Sequence, residues 1–395
     1  MSGDVVRTNP DAWLKLPGIR RILVALDADH HHVRFVGGIV RDLMLGEKPG
    51  DIDLATDFLP DEVTNRLLAE GIKVVPTGIA HGTVTAIASG TAVEITSLRA
   101  DVSTDGRRAT VEFTKDWKAD AARRDFTINA LYADPLSGEI FDYFGGLDDL
   151  ESRTLRFIGN PLQRIAEDHL RILRYFRFHA RYGHGDPDPE AVRACADRAN
   201  DLMALSRERI ADELLKLLAL PDPVPTIDLM IANGLFVPVI PEITATDRLA
   251  ALVESEKAAK LAPDPIRRLA SLIPADPVLA GKIAARLKLS NKARKRLDSA
   301  ANLSLGLGPE PLAYRVGLAS ATDRLLLAGK TDDARRIQKW PIPRLPIGGT
   351  ALMARGVPEG PDVARILKEI ENRWEAAGFP TGDDFNAITD QVLAG

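Results

Sequence analysis

The stretch Phe35-Val36-Gly37-Gly38-Ile39-Val40-Arg41-Asp42, followed by Gly50-Asp51-Ile52-Asp53-Leu54, limits most tightly what this chain can build. An apolar run (Val33, Phe35, Val36) reads as a strand and stops at two glycines, where backbone can approach a ligand closely. The residues Ile39 to Leu45 then read as a helix with Arg41 on its first turn. Glycine backbone, a helix N-terminus and a guanidinium together form an arrangement that grips a triphosphate. Asp51 and Asp53 are separated by one apolar residue, so on a strand both carboxylates point to one face and Ile52 turns inward. Such a pair repels itself unless a cation lies between, and hard oxygen donors of this kind suit Mg2+. Taken singly, a GG pair is an ordinary turn and a DxD an ordinary solvated strand edge. It is their order and proximity that point to chemistry.

At 395 residues, two or three domains are expected. Hydrophobic content of 45% with 27% charged residues fits a soluble globular protein. No apolar run approaches the ~20 residues that cross a bilayer, so no membrane role is expected. Met1 to Pro10 lacks the apolar segment of a secretory signal. The single cysteine, Cys195, rules out an intrachain disulfide and a multi-cysteine zinc cluster, and fits a reducing cytoplasm. The net charge of −5 argues mildly against a general nucleic-acid binder, although one face can still grip RNA.

A helix reads from Ile19 to about Ala28 on the stripe Ile19, Ile22, Leu23 and Leu26. His30-His31-His32 cannot all face one metal from a strand. Pro60-Asp61-Glu62 opens a helix that ends near Gly71. Thr77 to Thr83 reads as a turn, with His81 structural, and Thr83 to Ala88 as a hairpin arm. Val93-Glu94-Ile95-Thr96 alternates, and Glu94 becomes a third carboxylate if this strand neighbours Asp51 and Asp53. Glu112, in the similar Val111-Glu112-Phe113, competes for that place. Asp101 to Arg108 is polar with an Asp105-Gly106 turn signal, and reads as a mobile loop. Arg123-Arg124-Asp125 offers two donor forks and an acceptor, and alone would be a surface ion pair.

Pro161 opens a helical pattern on Leu162, Ile165, Ile172, Leu173 and Phe176. Asp168 and Arg171 fall three apart on it, with Arg174 one turn on. The plain reading is an intrahelical salt bridge of ~0.2–0.5 kcal/mol. A fixed carboxylate beside a guanidinium also presents an acceptor next to donors. That matches the Watson–Crick edges of cytosine and adenine, and mispairs those of uracil and guanine.

The succession GGxVRD, DxD, RRDFTINA (Arg123 to Ala130) and EDxxR (Glu167 to Arg171) resembles the signature of the polymerase-β-type nucleotidyltransferases. Within them it is similar to the tRNA CCA-adding and bacterial poly(A) polymerase family. The resemblance covers most of residues 20 to 245, and implies an α+β fold: a polymerase-β-like nucleotidyltransferase head with a small mixed sheet, then an all-α neck, body and tail. The implied divisions are 1–150 for the head, 151–222 for the neck and 223–395 for body and tail. It implies template-independent addition of CCA to the 3′ end of tRNA from CTP and ATP. Asp51 and Asp53 would hold two Mg2+ ions, with Glu94 assisting them or positioning the primer. Gly37, Gly38 and Arg41 would seat the phosphates. Arg124, Asp125 and Asn129 would bind the incoming nucleotide, Asp125 favouring a ribose 2′-OH. Asp168, Arg171 and Arg174 would face the base as a protein template. Members carry a flexible loop at the place of Asp101 to Arg108, needed for the final adenosine.

Ser206 to Leu217 resembles the family's neck helix, and residues 223 to 395 read as helices broken by proline or glycine, with no strand ladder. Lys288, Lys292, Arg294, Lys295 and Arg296 form a basic stretch that is either a solvated face or an RNA backbone contact. The alternatives to CCA addition are poly(A) synthesis, A-only addition to tRNA, and a non-catalytic RNA-binding relative. Residues 330 to 395 hold nine basic and ten acidic side chains, so the basic extension common in poly(A) polymerases is missing.

Overall fold

The computed structural model describes residues 6–48, 50–79, 82–104 and 109–394. The chain forms two compact units, Met1–Glu213 with Ala232–Val239, and Leu214–Ile231 with Ile240–Gly395. In the first, β1 (Val33–Val36), β2 (Asp53–Thr56), β3 (Lys73–Gly78), β4 (Thr83–Ala88) and β5 (Thr91–Ser97) lead into a hairpin, β6 (Arg99–Thr104) and β7 (Ala109–Phe113). The strands β8 (Leu131–Ala133) and β9 (Ile140–Asp142) complete a seven-stranded sheet in the order β3-β4-β5-β2-β1-β8-β9, while β6 and β7 form their own two-stranded sheet. β2 and β5 run parallel and the other pairings are antiparallel, so the sheet is mixed, as expected.

Two registers place the chemistry. Phe35 stands opposite Leu54, so the end of β1 that leads into Gly37 lies beside the beginning of β2 at Asp53. Asp53 stands opposite Glu94, with Leu54 and Ile95 the next pair. Glu94 therefore takes the place for which Glu112 competed, since Glu112 belongs to the separate hairpin. Val93 and Ile95 are fully buried while Glu94 is exposed, the period-two pattern of a half-buried strand. Val36, Ala55, Leu98, Ala121, Ala130 and Tyr132 pack into one cluster beneath this region.

The helices start and stop on local chemistry. Gly37 holds φ +73° and ψ −122°, a backbone state that L side chains rarely adopt, and hands over to the helix Gly38–Met44. Proline begins the helix Pro60–Ala69, as read. Ser206 Oγ accepts from the Arg209 amide at the start of the helix Arg207–Leu218.

Three expectations are corrected. The helix from Ile19 ends at Ala25, and Ala28–His30 is a short 3₁₀ turn. Residues 101–104, read as loop, are strand: Arg99 pairs with Phe113 and Ala100 with Glu112. A two-stranded ladder satisfies backbone groups whatever the polarity of its side chains, so polar composition alone misled. Asp105 to Arg108, and His81, lie outside the described residues. The third correction is the break at Asp168. The apolar stripe runs through it, yet the backbone there is extended (φ −149°, ψ 107°), dividing Pro161–Glu167 from Arg171–Tyr182. Asp168 accepts from the Leu170 amide two residues on, a local turn that competes with continuation of the helix.

The second unit contains helices and no strand among its described residues. One core gathers Leu252, Leu312, Leu325, Leu326 and Ile337, and another Leu352, Ile370, Trp374 and Phe385. Between helices lies a buried ionic network in which Glu256 accepts from both Arg267 and Arg268, and Arg267 also reaches Asp323. Arg296 joins it, 2.6 Å from Asp323 and 2.8 Å from Asp264. The basic stretch therefore loses Arg296 as a free phosphate contact, while Lys288, Lys292, Arg294 and Lys295 are exposed.

Candidate active site

A cleft of roughly 490 Å3 opens at the head of β1 and β2. Its lining includes Gly37, Gly38, Arg41, Asp51, Asp53, Arg124, Asp125, Asn129, Asp168, Arg171 and Arg174, every site residue read from the head and neck sequence except Glu94. Arg123 and Phe178 also line it; the sequence read Arg123 as one of two donor forks without placing it among the site residues, and missed Phe178. Phe178 follows Arg171 and Arg174 by seven and four residues on one helix, so helical spacing could have found it.

The carboxylates lie at the edge where β2 begins. Asp51 sits in a bend just before the strand, so the same-face argument from strand geometry applies to Asp53 and not to Asp51. Burial, then the neighbouring Glu94 and Asp51 charges, push the Asp53 carboxyl up to about 6 against the opposing pull of Arg124. Among the described residues, no three histidine, cysteine or carboxylate side chains gather closely enough to hold a metal ion. Of the three expected acids, Asp51 and Asp53 line the cleft, and Glu94 stands beside Asp53 across the β2–β5 pair. Two cleft carboxylates, with the Asp53 proton affinity raised by burial and neighbouring acids, are a donor set that a hard divalent cation would relieve, so Asp51 and Asp53 fit magnesium chemically. His30, His31 and His32 instead rest on three different carboxylates, Asp27, Asp134 and Asp57.

Five guanidiniums face the acids, each held by named partners. Arg41 donates to Asp42 at 2.9 Å and to the Asn129 side-chain oxygen, and lies 4.0 Å over the Tyr182 ring. Asn129 passes a hydrogen bond to Asp125 at 3.0 Å. Arg174 grips the other Asp125 oxygen through two nitrogens, at 2.6 and 2.7 Å. Burial alone would raise the Asp125 carboxyl, but Arg174 and Asn129 outweigh it and hold it below the usual range. Arg123 and Arg124 share Asp120, and Arg124 also donates to the Tyr132 hydroxyl.

The expected pairing of Asp168 with Arg171 is not what the two residues do. Asp168 is bound by Arg209 at 2.8 Å, and Arg171 by Glu167 and the backbone carbonyls of Arg164 and Arg123. The helix break explains this, because it removes the three-residue spacing that would bring them together. Both still line the cleft.

A glycine turn, paired aspartates on a small mixed sheet and a ring of arginines define a nucleotidyltransferase of the polymerase-β type. Residues 33–156 match the model of the poly A polymerase head domain, and residues 186–246 that of the probable RNA and SrmB-binding site of polymerase A. The human mitochondrial CCA tRNA nucleotidyltransferase 1 is 35% identical over 93% of this chain and 88% of its own length. The CCA-adding enzyme of Lacticaseibacillus paracasei is 33% identical over 94% of each chain. The Bacillus stearothermophilus CCA-adding enzyme in complex with CTP superposes with a TM-score of 0.74 at 25% identity, covering 95% of this chain and 98% of that one. The chain belongs to the CCA-adding enzyme and poly(A) polymerase family, and is a nucleotidyltransferase. Among the described residues no helix is long and apolar enough to cross a membrane.

Proposed function

We propose that the chain adds C, C and A in turn to the 3′ end of tRNA without a nucleic-acid template, using CTP and ATP. The observation that carries this is the single cleft joining the Gly37-Gly38 turn, Asp51 and Asp53, and five arginines, in a chain whose extended relatives are named for CCA addition. The triphosphate lies against Gly37, Gly38 and Arg41, with Arg124 reaching its oxygens. Asp125, whose oxygens accept from the Phe126 amide, Asn129 and Arg174, takes a ribose hydroxyl by giving up one of these contacts. The tRNA 3′-oxygen attacks the α-phosphorus as its proton passes to solvent water; the bond from the α-phosphorus to the bridging oxygen breaks in line and pyrophosphate leaves. Asp51 and Asp53 would hold the magnesium, which when bound would lower the hydroxyl pKa and neutralise charge on the leaving group. Glu94, beside Asp53, adds negative charge that tightens this hold. Asp168 and Arg171 select the base, Asp168 exchanging its Arg209 contact for the exocyclic amine of cytosine or adenine.

The division of labour is a catalytic head in 1–150, a base-selecting neck in 151–222 and a tRNA-holding body and tail in 223–395. A reducing cytoplasm is supported by the single cysteine, Cys195, which is buried and free. The test supplies labelled CTP and ATP to tRNA lacking its 3′ terminus: two C and one A confirm the reading, while A-tails without C would assign poly(A) synthesis instead.

A further inference from the structure

Asp120 does not itself line the cleft, yet it is the most heavily engaged carboxylate near it. It is 1% exposed on the helix Trp117–Ala122. Its Oδ1 accepts from Arg123 Nε at 2.8 Å and from the Arg99 amide at 3.2 Å; its Oδ2 accepts from Arg124 Nη2 at 3.1 Å and from the Tyr132 hydroxyl at 2.6 Å. The same hydroxyl accepts from Arg124 Nε at 3.1 Å. Tyr132 is fully buried on β8, wedged edge-on against Trp117.

Two adjacent guanidiniums repel each other, and unheld they would splay into solvent. Here one buried carboxylate and one buried phenol fix both, and both forks line the cleft. We propose that Asp120 and Tyr132 form a positioning clasp that presents Arg123 and Arg124 to the triphosphate of the incoming nucleotide, and that Arg123 is a second phosphate-binding arginine there. The clasp serves CTP and ATP alike, because the phosphates are common to both. The Arg99 amide, at the root of the β6–β7 hairpin, is fixed by the same carboxylate, so the hairpin begins from a rigid point beside the cleft.

This rests on the nucleotidyl-transfer reading, and charge and orientation make opposite demands on it. Asp120→Asn makes the cleft more positive by one charge. If charge alone mattered, nucleotide and inorganic triphosphate would bind more tightly. The clasp requires weaker binding instead: KM for CTP and for ATP rising by the same factor, roughly tenfold or more, with kcat less affected. Tyr132→Phe keeps the ring and charge and removes only the hydroxyl, so it should raise both KM values by a smaller common factor, about threefold, and it covers the case in which Asp120→Asn fails to fold. Competition by inorganic triphosphate against CTP should weaken in parallel. Unchanged KM and triphosphate inhibition in Tyr132→Phe, tighter binding in a folded Asp120→Asn, or unequal changes for CTP and ATP would overturn the clasp. Absence of incorporation by the wild-type chain would instead overturn the nucleotidyl-transfer reading, while triphosphate competition against labelled CTP binding would still read the clasp.

Discussion

Asp53 of β2 and Glu94 of β5 stand directly opposite each other across a parallel strand pair, at the edge where β1 delivers the Gly37 turn. Far apart along the chain, the two acids are restored to neighbours by the sheet. The price is electrostatic, because burial and the adjacent acids lift the Asp53 carboxyl to about 6. A divalent cation bound there would reverse that lift, so removing divalent ions with a chelator should abolish incorporation, and Mg2+ should restore it.

The two glycines should separate by experiment. Gly37 occupies a left-handed φ, and Gly37→Ala should destabilise the protein by about 1–3 kcal/mol, read as a lowered unfolding midpoint. A Cβ on Gly38 meets only Arg41 Nη2, at 3.6 Å, and needs no unusual φ. Gly38→Ala should therefore melt near wild type and lose nucleotide affinity.

Arg209 and Asp168 are 47% and 36% exposed, so their ion pair is well screened. Arg209→Ala should change stability by less than about 1 kcal/mol. Asp168→Ala, which removes the acceptor proposed to face the base, should lower discrimination against UTP and GTP by roughly tenfold, the scale of one mispaired polar group. Misincorporation assays with each nucleotide read this directly.

Acid stability offers an independent test of the Asp120 geometry. Burial opposes its ionisation, but Arg124, Arg123 and the Tyr132 hydroxyl hold the carboxyl at about 2. A carboxyl depressed in the fold stabilises fully above its unfolded value of about 4, and that contribution disappears as pH falls toward 2. It is on the order of 2 kcal/mol. Wild type should lose stability across this window in denaturant titrations, and Asp120→Asn should show a shallower loss.

The reach of the sequence followed the range of the interactions involved. The Gly37 turn, the strands around Asp53 and Glu94 and the start of the helix at Pro60 are set by neighbours in the chain, and period-two or capping patterns expose them. Choosing Glu94 over Glu112 needed family resemblance, because both alternate equally well and only strand pairing distinguishes them. The break at Asp168 stayed hidden since the stripe from Leu162 to Phe176 continues through it, and a local Asx turn, Leu170 N–H to Asp168, marks the break. Arg296 read as part of a basic run open to solvent or RNA because its partners, Asp264 and Asp323, are distant in sequence. Asp120 is silent in the sequence for the same reason: nothing local announces a carboxylate that serves two arginines and, across the helix-to-strand connection, the Tyr132 hydroxyl.

The remaining basic stretch makes a separable prediction. Lys292 and Lys295 are exposed on the helix Asn291–Ala300. Replacing both with alanine should weaken tRNA binding and flatten its logarithmic salt dependence by about 0.7–0.9 for each phosphate no longer neutralised, with CTP affinity unchanged.

The most direct measurement is nucleotide incorporation by Asp53→Asn on tRNA lacking its 3′ terminus, with tRNA affinity measured in parallel. Loss of incorporation by at least about a hundredfold, with tRNA bound as well as by wild type, is the result expected of a carboxylate at the centre of the reaction. Incorporation that continues at the wild-type rate would contradict it and remove the cleft from the chemistry.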